Sequence, residues 1–449
     1  MAFEITKDLL ENVTLHIENG NDNGLSMLFS EMHYADIAEV LEEISYNEAV
    51  YVIKLLDSET TSDILIELDE DVREKIFEQL TAKEIAEEVE ELDSDDAADI
   101  IAELPEERQE AVMSQIEDEE HVKEIEELLT YDENSAGGLM AKELVQVNEN
   151  WTVLKCVKEM RIQAEEVTRV HSIYVVNEAG QLKGRLSLKD LLVASTRTPI
   201  SEIYIPKVDS VHVNESAEDV ANVMRKYDLE AIPVIDDHET LVGRITIDDI
   251  VDVIKEEADK DYQMAAGLTQ DVDSDDSIFH LTKARIPWLF LGLIGGIGAF
   301  LIMEGFQDLF SEDAILFFFT PLIAAMAGNV GVQSSAIIVQ GLANDDVKGS
   351  INNRLIKEML LAALNGLILS VFLFLFIWLY NGEAQKALAI SVSLIVVIIV
   401  AGLIGTFIPL FLNKRGIDPA IATGPFITTS NDIFGILIYF WIAKLIIGM

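Results

Sequence analysis

Five long apolar segments follow one another in the C-terminal part of the chain. A helix that crosses a bilayer needs at least about 17 predominantly apolar residues, and lipid offers no partner to unpaired backbone groups. The sequence therefore predicts a multidomain integral membrane protein with a five-helix transmembrane domain in residues 281–449. The five segments cover residues 286–303, 314–344, 359–380, 387–413 and 419–443.

Charged residues on the flanks of these segments alternate in sign. Basic side chains precede the first segment and recur after the second and fourth, at Lys283, Arg285, Lys348, Arg354, Lys357, Lys414 and Arg415. The opposite loops hold Glu304, Asp308, Glu312, Asp313 and Glu383, with a single Lys386. By the positive-inside rule we expect a multi-pass protein of the plasma (inner) membrane, with a cytosolic N-terminal part and an external C-terminus. Residues 1–12 lack the features of a secretory signal, which agrees with this orientation.

One carboxylate lies in the middle of the fifth segment. Asp432 is the only charged residue between Asp418 and Lys444. A charge at that depth costs roughly 2.5 to 3.5 kcal/mol on insertion scales, so it usually faces a cavity and handles an ion or a proton. Thr428 shares its helix face, and Pro425 is expected to free a backbone carbonyl one turn earlier.

The second segment carries amide side chains but no charge. Asn329, Gln333 and Gln340 stand at i, i+4 and i+11 and therefore share a helix face. Such residues either contact an ion or form hydrogen bonds between neighbouring helices, and both interpretations stay open. In the first segment, Gly292 and Gly296 are predicted to allow close helix packing.

The negative charge is concentrated upstream of these segments. The formal net charge is −49, and residues 1–280 account for −48 of it. Such a surface disfavours anionic lipid and nucleic acid as partners and attracts cations, although a solvated, salt-adapted surface is the simpler alternative. Residues 1–130 repeat short amphipathic units with three- and four-residue spacing, which predicts an acidic, all-α superhelical N-domain. Within it, Asp95 and Asp99 share a helix face and favour a cation between them, unless Asp95 merely lies near a helix N-terminus.

A repeat with an offset of 59 residues follows. HSIYVVNEAGQLKGRLSLKDLL, from His171, aligns with EAIPVIDDHETLVGRITIDDIV, from Glu230, and each copy predicts two strands and a capped helix. The pattern resembles a pair of α/β CBS domains in residues 131–256, the first at about 138–198 and the second at about 199–256. The resemblance implies a possible site for ATP or another adenine nucleotide at Ser187, Asp190 and Thr246, with simple helix capping as the alternative.

The helix after the second copy continues the acidity. Asp249, Asp252 and Glu256 follow one another at three- and four-residue spacing, and a connecting helix and linker are expected at 257–280. Oxygen-rich clusters without His or Cys suit Mg²⁺ or Ca²⁺ rather than zinc or copper. Cys156 is the only cysteine, which excludes a disulfide within the chain, and the seven histidines all precede the apolar segments.

Several motifs together resemble the MgtE family of magnesium channels and transporters. They are LDSDDAADII (92–101), YDENSAGGLM (131–140), the CBS repeat, GNVGVQSS (328–335), DPAIATGP (418–425) and TTSNDIFG (428–435). The resemblance covers essentially the whole chain. It implies a homodimer with a pore lined by the second and fifth segments and a magnesium site at Asp432. It also implies that cytosolic Mg²⁺, bound by the acidic domains, holds the pore shut.

By matching position, the resemblance assigns this sensor role to six carboxylates. They are Asp95, Asp99, Asp249, Asp252, Glu257 and Asp261. Lys260 stands where an acid is expected, which predicts a weakened site. The expected pore ligands are Asp432 with Asn329, Gln333 and Thr428, around a largely hydrated Mg²⁺ for which Co²⁺, Ni²⁺ or Mn²⁺ compete.

Two other functions remain as alternatives. One is a coupled divalent-cation exchanger, which the lack of further charges in the apolar segments makes less favoured. The other is a non-conducting, membrane-tethered magnesium or nucleotide sensor, for which Asp432 would be only a packing defect. An enzyme is not expected, because the chain shows no nucleophile and base constellation, P-loop or Rossmann fingerprint.

Overall fold

The structure is a computed structural model of the 449-residue chain. It describes residues 4–164, 167, 169–269, 272, 276–307, 314–343, 347, 349–422 and 424–448. The chain divides into two compact units, Met1–Lys255 and Glu256–Met449, which are treated separately below. The flanking charges Asp308, Glu312, Asp313 and Lys348 lie outside the described residues.

The part of the first unit that the structure describes begins with ten short helices. Alternate helices pack on one another, α3 on α5, α5 on α7, α7 on α9, and α8 on α10, so that the array advances as a stacked series around one apolar core. This is the all-α N-domain that the amphipathic units predict. The helices are α1 (Lys7–Glu18), α2 (Asp22–Phe29), α3 (Tyr34–Glu43), α4 (Tyr46–Ile53), α5 (Ser58–Glu67), α6 (Glu70–Phe77), α7 (Ala82–Val89), α8 (Ser94–Glu103), α9 (Glu106–Met113) and α10 (Glu119–Leu128).

Polar contacts at the helix ends connect successive pairs. Thr81 and Glu84 form a capping box at the start of α7, which satisfies two backbone N–H groups of its first turn. Arg108 of α9 donates to the carbonyl of Phe77, the last residue of α6, and to that of Leu80 just beyond it, both at 2.8 Å. A guanidinium thus caps carbonyls of the preceding pair and holds neighbouring repeats together.

The rest of the first unit contains two small sheets and their helices. The first sheet has the strand order β1-β2-β3-β4 and the second β5-β6-β7, and each joins a parallel pair to an antiparallel hairpin. The strands are β1 (Val145–Asn148), β2 (Ile173–Val176), β3 (Leu182–Leu186), β4 (Ile205–Pro206), β5 (Val211–His212), β6 (Ala231–Ile235) and β7 (Leu241–Thr246). The helices are α11 (Val153–Gln163), α12 (Leu188–Val193), α13 (Ala217–Tyr227) and α14 (Ile247–Ala266), the last of which crosses the division between the units.

The two hairpins repeat one another residue by residue. Val175 pairs with Gly184 in the first, and Val234 pairs with Gly243 in the second, which preserves the 59-residue offset, and both hairpins carry an irregularity at the next position. Their turns meet through reciprocal bonds, from Leu182 N to the carbonyl of Glu239 and from the N–H of the equivalent Leu241 to the carbonyl of Gly180. The repeat seen in the sequence is therefore an internal pseudo-twofold in the structure.

The second unit has five helices long and apolar enough to cross a membrane, by length and composition, within the described residues. The multidomain, five-helix architecture expected from the sequence is confirmed. The spans are α15 (Ile278–Gly305), α16 and α17 together (Ala314–Phe318 and Thr320–Ala343), α18 (Ile351–Asn381), α19 (Ala384–Lys414) and α20 (Gly424–Ile447).

Two details of the apolar segments differ from expectation. The fifth span starts at Gly424, after a 3-10 turn at Pro419–Ala422, so Pro425 lies in the first helical turn and interrupts no turn before it. The predicted packing through Gly292 and Gly296 is wrong within the chain, because no described atom would meet a Cβ at either position. Gly295 and Gly298 make the contacts instead, against α20.

Candidate ion-binding sites

A groove between α17 and α20 collects the side chains predicted to contact the pore ion. It has a volume of about 450 Å³ and is lined by Ala324, Ala325, Gly328, Asn329, Val332, Gln333, Thr428 and Asp432. Asn329 and Gln333 are exposed to it, while Asp432 is partly buried. Thr428 Oγ1 donates to the Gly424 carbonyl at 3.0 Å. The structure therefore brings all four predicted residues to one groove.

Glycines of α17 allow the close approach that places Asp432 at this groove. A Cβ at Gly328 would lie 3.2 Å from the Thr428 methyl carbon and 3.8 Å from Asp432 Oδ1, so α17 and α20 approach closely there. The adjacent Asn431 is buried, and its amide occupies the space left by Gly331, one turn further along α17 than Gly328. Neither polar atom of the Asn431 side chain has a hydrogen-bond partner among the described residues.

A second carboxylate lies among the spanning helices. Ser334 of α17 donates to Glu358 Oε1 of α18 at 2.7 Å, and a Cβ at Gly402 of α19 would lie 2.9 Å from the same oxygen. The expectation of no further charge among the apolar segments is therefore wrong. Glu358 lies just before the apolar segment 359–380, and α18 carries it inward because the helix begins at Ile351.

The acidic cluster of the N-domain is centred on Asp95. Asp95 is 8 % exposed, and its Oδ1 has no hydrogen-bond partner within the part of the chain that the structure describes. One ligand atom each from Asp93, Asp95 and Glu143 lies within 4.8 Å of the others. The Glu143 carboxylate is held by Ser94, which donates its N–H at 3.1 Å and its hydroxyl at 2.9 Å. Three carboxylates, one of which has an oxygen without a hydrogen-bond partner, could ligate a hard cation.

Crowding of like charges shows in the pKa values of this cluster. Burial raises the pKa of Asp95 well above its usual range, and the carboxylates of Asp96 and Asp249 add to the effect. Burial and Asp249 raise the pKa of Asp96 to about 8. Burial, with Glu143 adding to it and Arg244 opposing it, raises the pKa of Asp93 to about 6. The folded cluster therefore favours protons, or another positive charge, in its centre.

Asp249 reaches this cluster from the start of α14. Its Oδ2 accepts hydrogen bonds from the N–H of Thr246 at 3.0 Å and from the Thr246 hydroxyl at 2.8 Å. Burial raises the pKa of Asp249, while Thr246 lowers it. Arg244 crosses the same region, where its Nη2 donates to Asp93 Oδ2 at 3.3 Å and its Nε to the backbone carbonyl of Glu143. Arg244 is thus the resident cation among these carboxylates.

The other two predicted sensor residues of the first unit lie at the margin. Asp99 has an exposed side chain, and the surrounding protein together with Glu133 raises its pKa to about 7. Asp252 is exposed on α14 and adds to the raised pKa of Glu67 on α5, for which burial is the main cause.

Glu257 and Asp261 belong to the second unit and form a separate acidic group with Asp418. Burial, followed by Asp418 and Glu257, raises the pKa of Asp261. Lys260 Nζ donates to Glu257 Oε1 at 3.0 Å and carries a raised pKa for that reason. The lysine that stands in place of an acid therefore pairs with one of the predicted sensor carboxylates.

The end of α14 contacts the start of α20 in this unit. Gly424 has a φ of +52°, and a Cβ there would overlap the Ala265 carbonyl, while a Cβ at Gly267 would lie 2.5 Å from the Pro425 ring. The two helix ends therefore meet through glycine backbone. On α20, Gly424 and Thr428 are four residues apart, so the contact lies about one helical turn from the groove.

A cavity of about 220 Å³ lies at the first hairpin of the CBS pair. It is lined by Val170, His171, Ser172, Ile173, Arg185, Leu186, Ser187, Leu188 and Ile205. Ser187 caps α12, accepts from the N–H of Asp190 at 3.1 Å and donates to Asp190 Oδ2 at 2.6 Å. Thr246 also donates its hydroxyl to the acid three residues on, Asp249, at 2.8 Å. Its backbone N–H donates to the same carboxylate at 3.0 Å, so the carboxylate of Asp249 is the acceptor here, whereas the Ser187 hydroxyl is the acceptor in the first copy.

Sequence reasoning missed Asp93, Asp96, Glu143 and Arg244. The first two stand in LDSDDAADII beside the residues that were selected. No helical spacing in the sequence could have indicated Glu143 and Arg244, because they lie about 50 and 150 residues from Asp93 along the chain.

Family models match most of the chain. The model described as "Divalent cation transporter" matches residues 320–442, the MgtE intracellular N domain matches 32–134, and CBS domains match 136–197 and 200–256. The magnesium transporter MgtE of Bacillus subtilis is 33 % identical over 316 residues, 70 % of each chain. That of Enterococcus faecalis is 36 % identical over 318 residues, 71 % of this chain and 70 % of the relative. The chain belongs to the MgtE family.

Solved structures agree with this assignment. The cytosolic domain of the Mg²⁺ channel MgtE in complex with ATP is 33 % identical, matches 55 % of this chain and 100 % of its own, and has a TM-score of 0.52. The soluble part of a magnesium transporter is 29 % identical, matches 56 % and 98 %, and has a TM-score of 0.50. The family, the CBS pair and the membrane domain expected from the sequence are confirmed. MgtE proteins are transporters, so the expectation of a protein without enzymatic activity is confirmed as well.

Proposed function

We propose that this MgtE protein transports Mg²⁺ through the groove that contains Asp432. The observation that carries the proposal is the convergence of Asn329, Gln333, Thr428 and Asp432 in one groove. Mg²⁺ gives up water reluctantly and takes few carboxylates, and a single acid among neutral oxygens suits a largely hydrated ion. The magnesium transporters that the chain resembles support the choice of ion.

The groove is open along one side in a single chain, and a homodimer would close it. Two copies of Asp432 would then face one ion, which increases selection for divalent over monovalent cations. Co²⁺, Ni²⁺ and Mn²⁺ share the charge and would compete. The charge pattern around the spans supports insertion in the plasma (inner) membrane with the acidic domains in the cytosol and the C-terminus outside.

Cytosolic Mg²⁺ closes this pathway through the acidic clusters. Asp93, Asp95 and Glu143 would hold one ion, with Asp96, Asp99 and Asp249 beside them. The unsatisfied Asp95 Oδ1 supports this fit. Binding relieves repulsion among carboxylates and so favours the compact arrangement that contains them. In the second unit Glu257 and Asp261 would act similarly, with Lys260 weakening that site. The contact of Gly267 with Pro425 offers a route from α14 to the pore helix.

A current titration tests transport and gating together. In excised patches, the wild-type protein is expected to carry Mg²⁺ current that falls as Mg²⁺ rises on the cytosolic face. Asp249→Asn removes a carboxylate beside Asp95 and is expected to raise the half-inhibiting Mg²⁺ concentration about tenfold, equivalent to about 1.4 kcal/mol. Asp252→Asn, at the exposed margin, should raise it less.

Glu178→Gln serves as the matched control for this titration. It removes one negative charge from an exposed hairpin turn of the same unit and leaves the acidic cluster intact. Its inhibition curve should coincide with that of the wild type. Unchanged inhibition in the Asp249 variant would contradict the sensor role, and absence of any Mg²⁺ current in the wild type would favour the exchanger or the non-conducting sensor.

We further propose that the CBS pair binds ATP at the first hairpin. The ATP complex of the related cytosolic domain supports this, as do Arg185, His171 and Ser187, which line the cavity. ATP is expected to bind the full-length protein in calorimetry, and Ser187→Trp, which fills the cavity, should weaken binding at least about tenfold. The same change at Ser195, outside the cavity lining, is the control. Equal binding by both variants would place the nucleotide elsewhere.

A further inference from the structure

A histidine and two glutamates meet beside the Asp95 cluster. A ring nitrogen of His121 and one carboxylate oxygen each from Glu124 and Glu143 lie within 4.8 Å of one another. His121 and Glu124 stand three residues apart on α10 and so share a helix face, and Glu143 reaches them from the segment before β1. All three side chains are partly exposed, so an ion can enter from solvent.

The surroundings orient each of these side chains. The His121 Nε2 lies 3.3 Å from the Val89 carbonyl, which can only accept, so this contact favours the tautomer with the proton on Nε2 and a lone pair on Nδ1. Glu143 is fixed by its two bonds from Ser94. A backbone carbonyl on one side of a ligating imidazole, and donors on a ligating carboxylate, are typical second partners at metal sites.

The geometry points to a cation rather than to a self-contained hydrogen-bonded group. Glu124 and Glu143 approach each other although both are acids, and no hydrogen bond joins the three side chains among the contacts of the described residues. Glu143 also belongs to the triad with Asp93 and Asp95, where the buried Asp95 Oδ1 lacks a partner. That acceptor belongs to the neighbouring triad. The two triads therefore share one carboxylate.

We propose that His121, Glu124 and Glu143 form a transition-metal site, distinct from the oxygen-only cluster. One imidazole and two carboxylates suit Zn²⁺, Co²⁺ or Mn²⁺, whereas Mg²⁺ prefers oxygen ligands throughout. Bonds of roughly 2.0 to 2.2 Å require the three ligand atoms to draw closer, which rotation of the exposed side chains permits. Because Glu143 is shared and its carboxylate has two oxygens, a metal here bridges through Glu143 to the ion held by Asp93 and Asp95.

Absorption of Co²⁺ in the visible range tests the site on the full-length protein in detergent. All proteins carry Asp432→Asn, so that the pore carboxylate does not contribute, and millimolar Mg²⁺ occupies the oxygen-only clusters. The reference protein is expected to bind one Co²⁺ per chain with a ligand-field band typical of nitrogen and oxygen ligands. His121→Gln is expected to weaken binding at least about tenfold and to remove the nitrogen contribution from the spectrum.

Two further variants complete the test. Glu124→Gln is nearly isosteric, and it should weaken Co²⁺ binding by a similar factor even if His121→Gln does not fold. His238→Gln, on an exposed turn of the second hairpin, is the control and should bind Co²⁺ as the reference does. Unchanged Co²⁺ affinity in folded His121 and Glu124 variants would overturn the proposal, as would complete displacement by millimolar Mg²⁺. None of these results depends on transport, so the site can fail while the proposed function stands.

Discussion

Replacing Asp432 with Asn is expected to abolish Mg²⁺ influx into proteoliposomes when membrane potential is the only driving force. The amide is close in size to the carboxylate but offers no net charge to a divalent ion. Two unit charges 4 Å apart interact by about 4 kcal/mol at an effective dielectric constant of about 20. Loss of even 1.4 kcal/mol corresponds to tenfold, so influx should fall at least about tenfold. A magnesium-sensitive dye inside the vesicles measures it.

Two control variants separate the competing functions. Glu304→Gln removes a charge from the exposed end of α15 and should leave influx unchanged. Glu358→Gln removes the carboxylate bonded to Ser334. A proton-coupled exchanger predicts that flux follows an imposed proton gradient and that Glu358→Gln removes this dependence. A channel through Asp432 predicts neither. Undiminished influx in Asp432→Asn would show that the groove is not the ion pathway.

The acidic cluster around Asp95 is expected to lose stability as pH rises when no divalent ion is present. Asp96 has a folded-state pKa of about 8, against about 3.9 in an unfolded chain. Because the folded state holds this proton more tightly than the unfolded chain, the proton's contribution to the free energy of unfolding is fully present at a pH below the unfolded-state pKa. It is lost as pH rises through the folded-state pKa. The window is therefore about pH 4 to 8. Within it, each proton retained only by the folded cluster changes stability by about 1.4 kcal/mol per pH unit.

Hydrogen exchange of α8 amides in the full-length protein checks this expectation. In EDTA, the opening free energy of residues 94–103 should fall by about 2 to 3 kcal/mol between pH 6 and pH 8, after correction for intrinsic exchange rates. Millimolar Mg²⁺ should restore protection at pH 8, because the ion replaces the lost protons. Asp96→Asn should flatten the dependence, whereas Glu178→Gln should preserve it. Protection that rises with pH in EDTA would contradict this interpretation of the cluster.

The residues that line the groove between α17 and α20 could be predicted because they follow helical periodicity. Asn329 and Gln333 are four residues apart on one helix, as are Thr428 and Asp432 on another, and a single helix–helix contact brings the two faces together. The same holds for the CBS hairpins, where the 59-residue offset reappears in the strand register. The groove lining depends on four-residue spacing within a helix and the hairpins on a fixed repeat, and both patterns can be read directly from the sequence.

The composition of the acidic cluster could not be predicted in the same way. Ser94, Glu143 and Arg244 come from a helix, a loop and a strand, and only the tertiary packing joins them. Likewise, the first apolar segment contains several glycines at suitable spacing, and the partner helix decides which of them makes contact. It selects Gly295 rather than Gly292, because α20 presents Thr429 to that face.

The matched register of the two hairpins gives one backbone two uses. Arg185 and Arg244 occupy the same place in the two copies, as do Ser187 and Thr246. In the first copy the arginine lines an open cavity, and in the second it donates to Asp93 and to the backbone carbonyl of Glu143. The side chains that surround each arginine therefore decide whether its guanidinium faces a cavity or ties the hairpin to the helical domain.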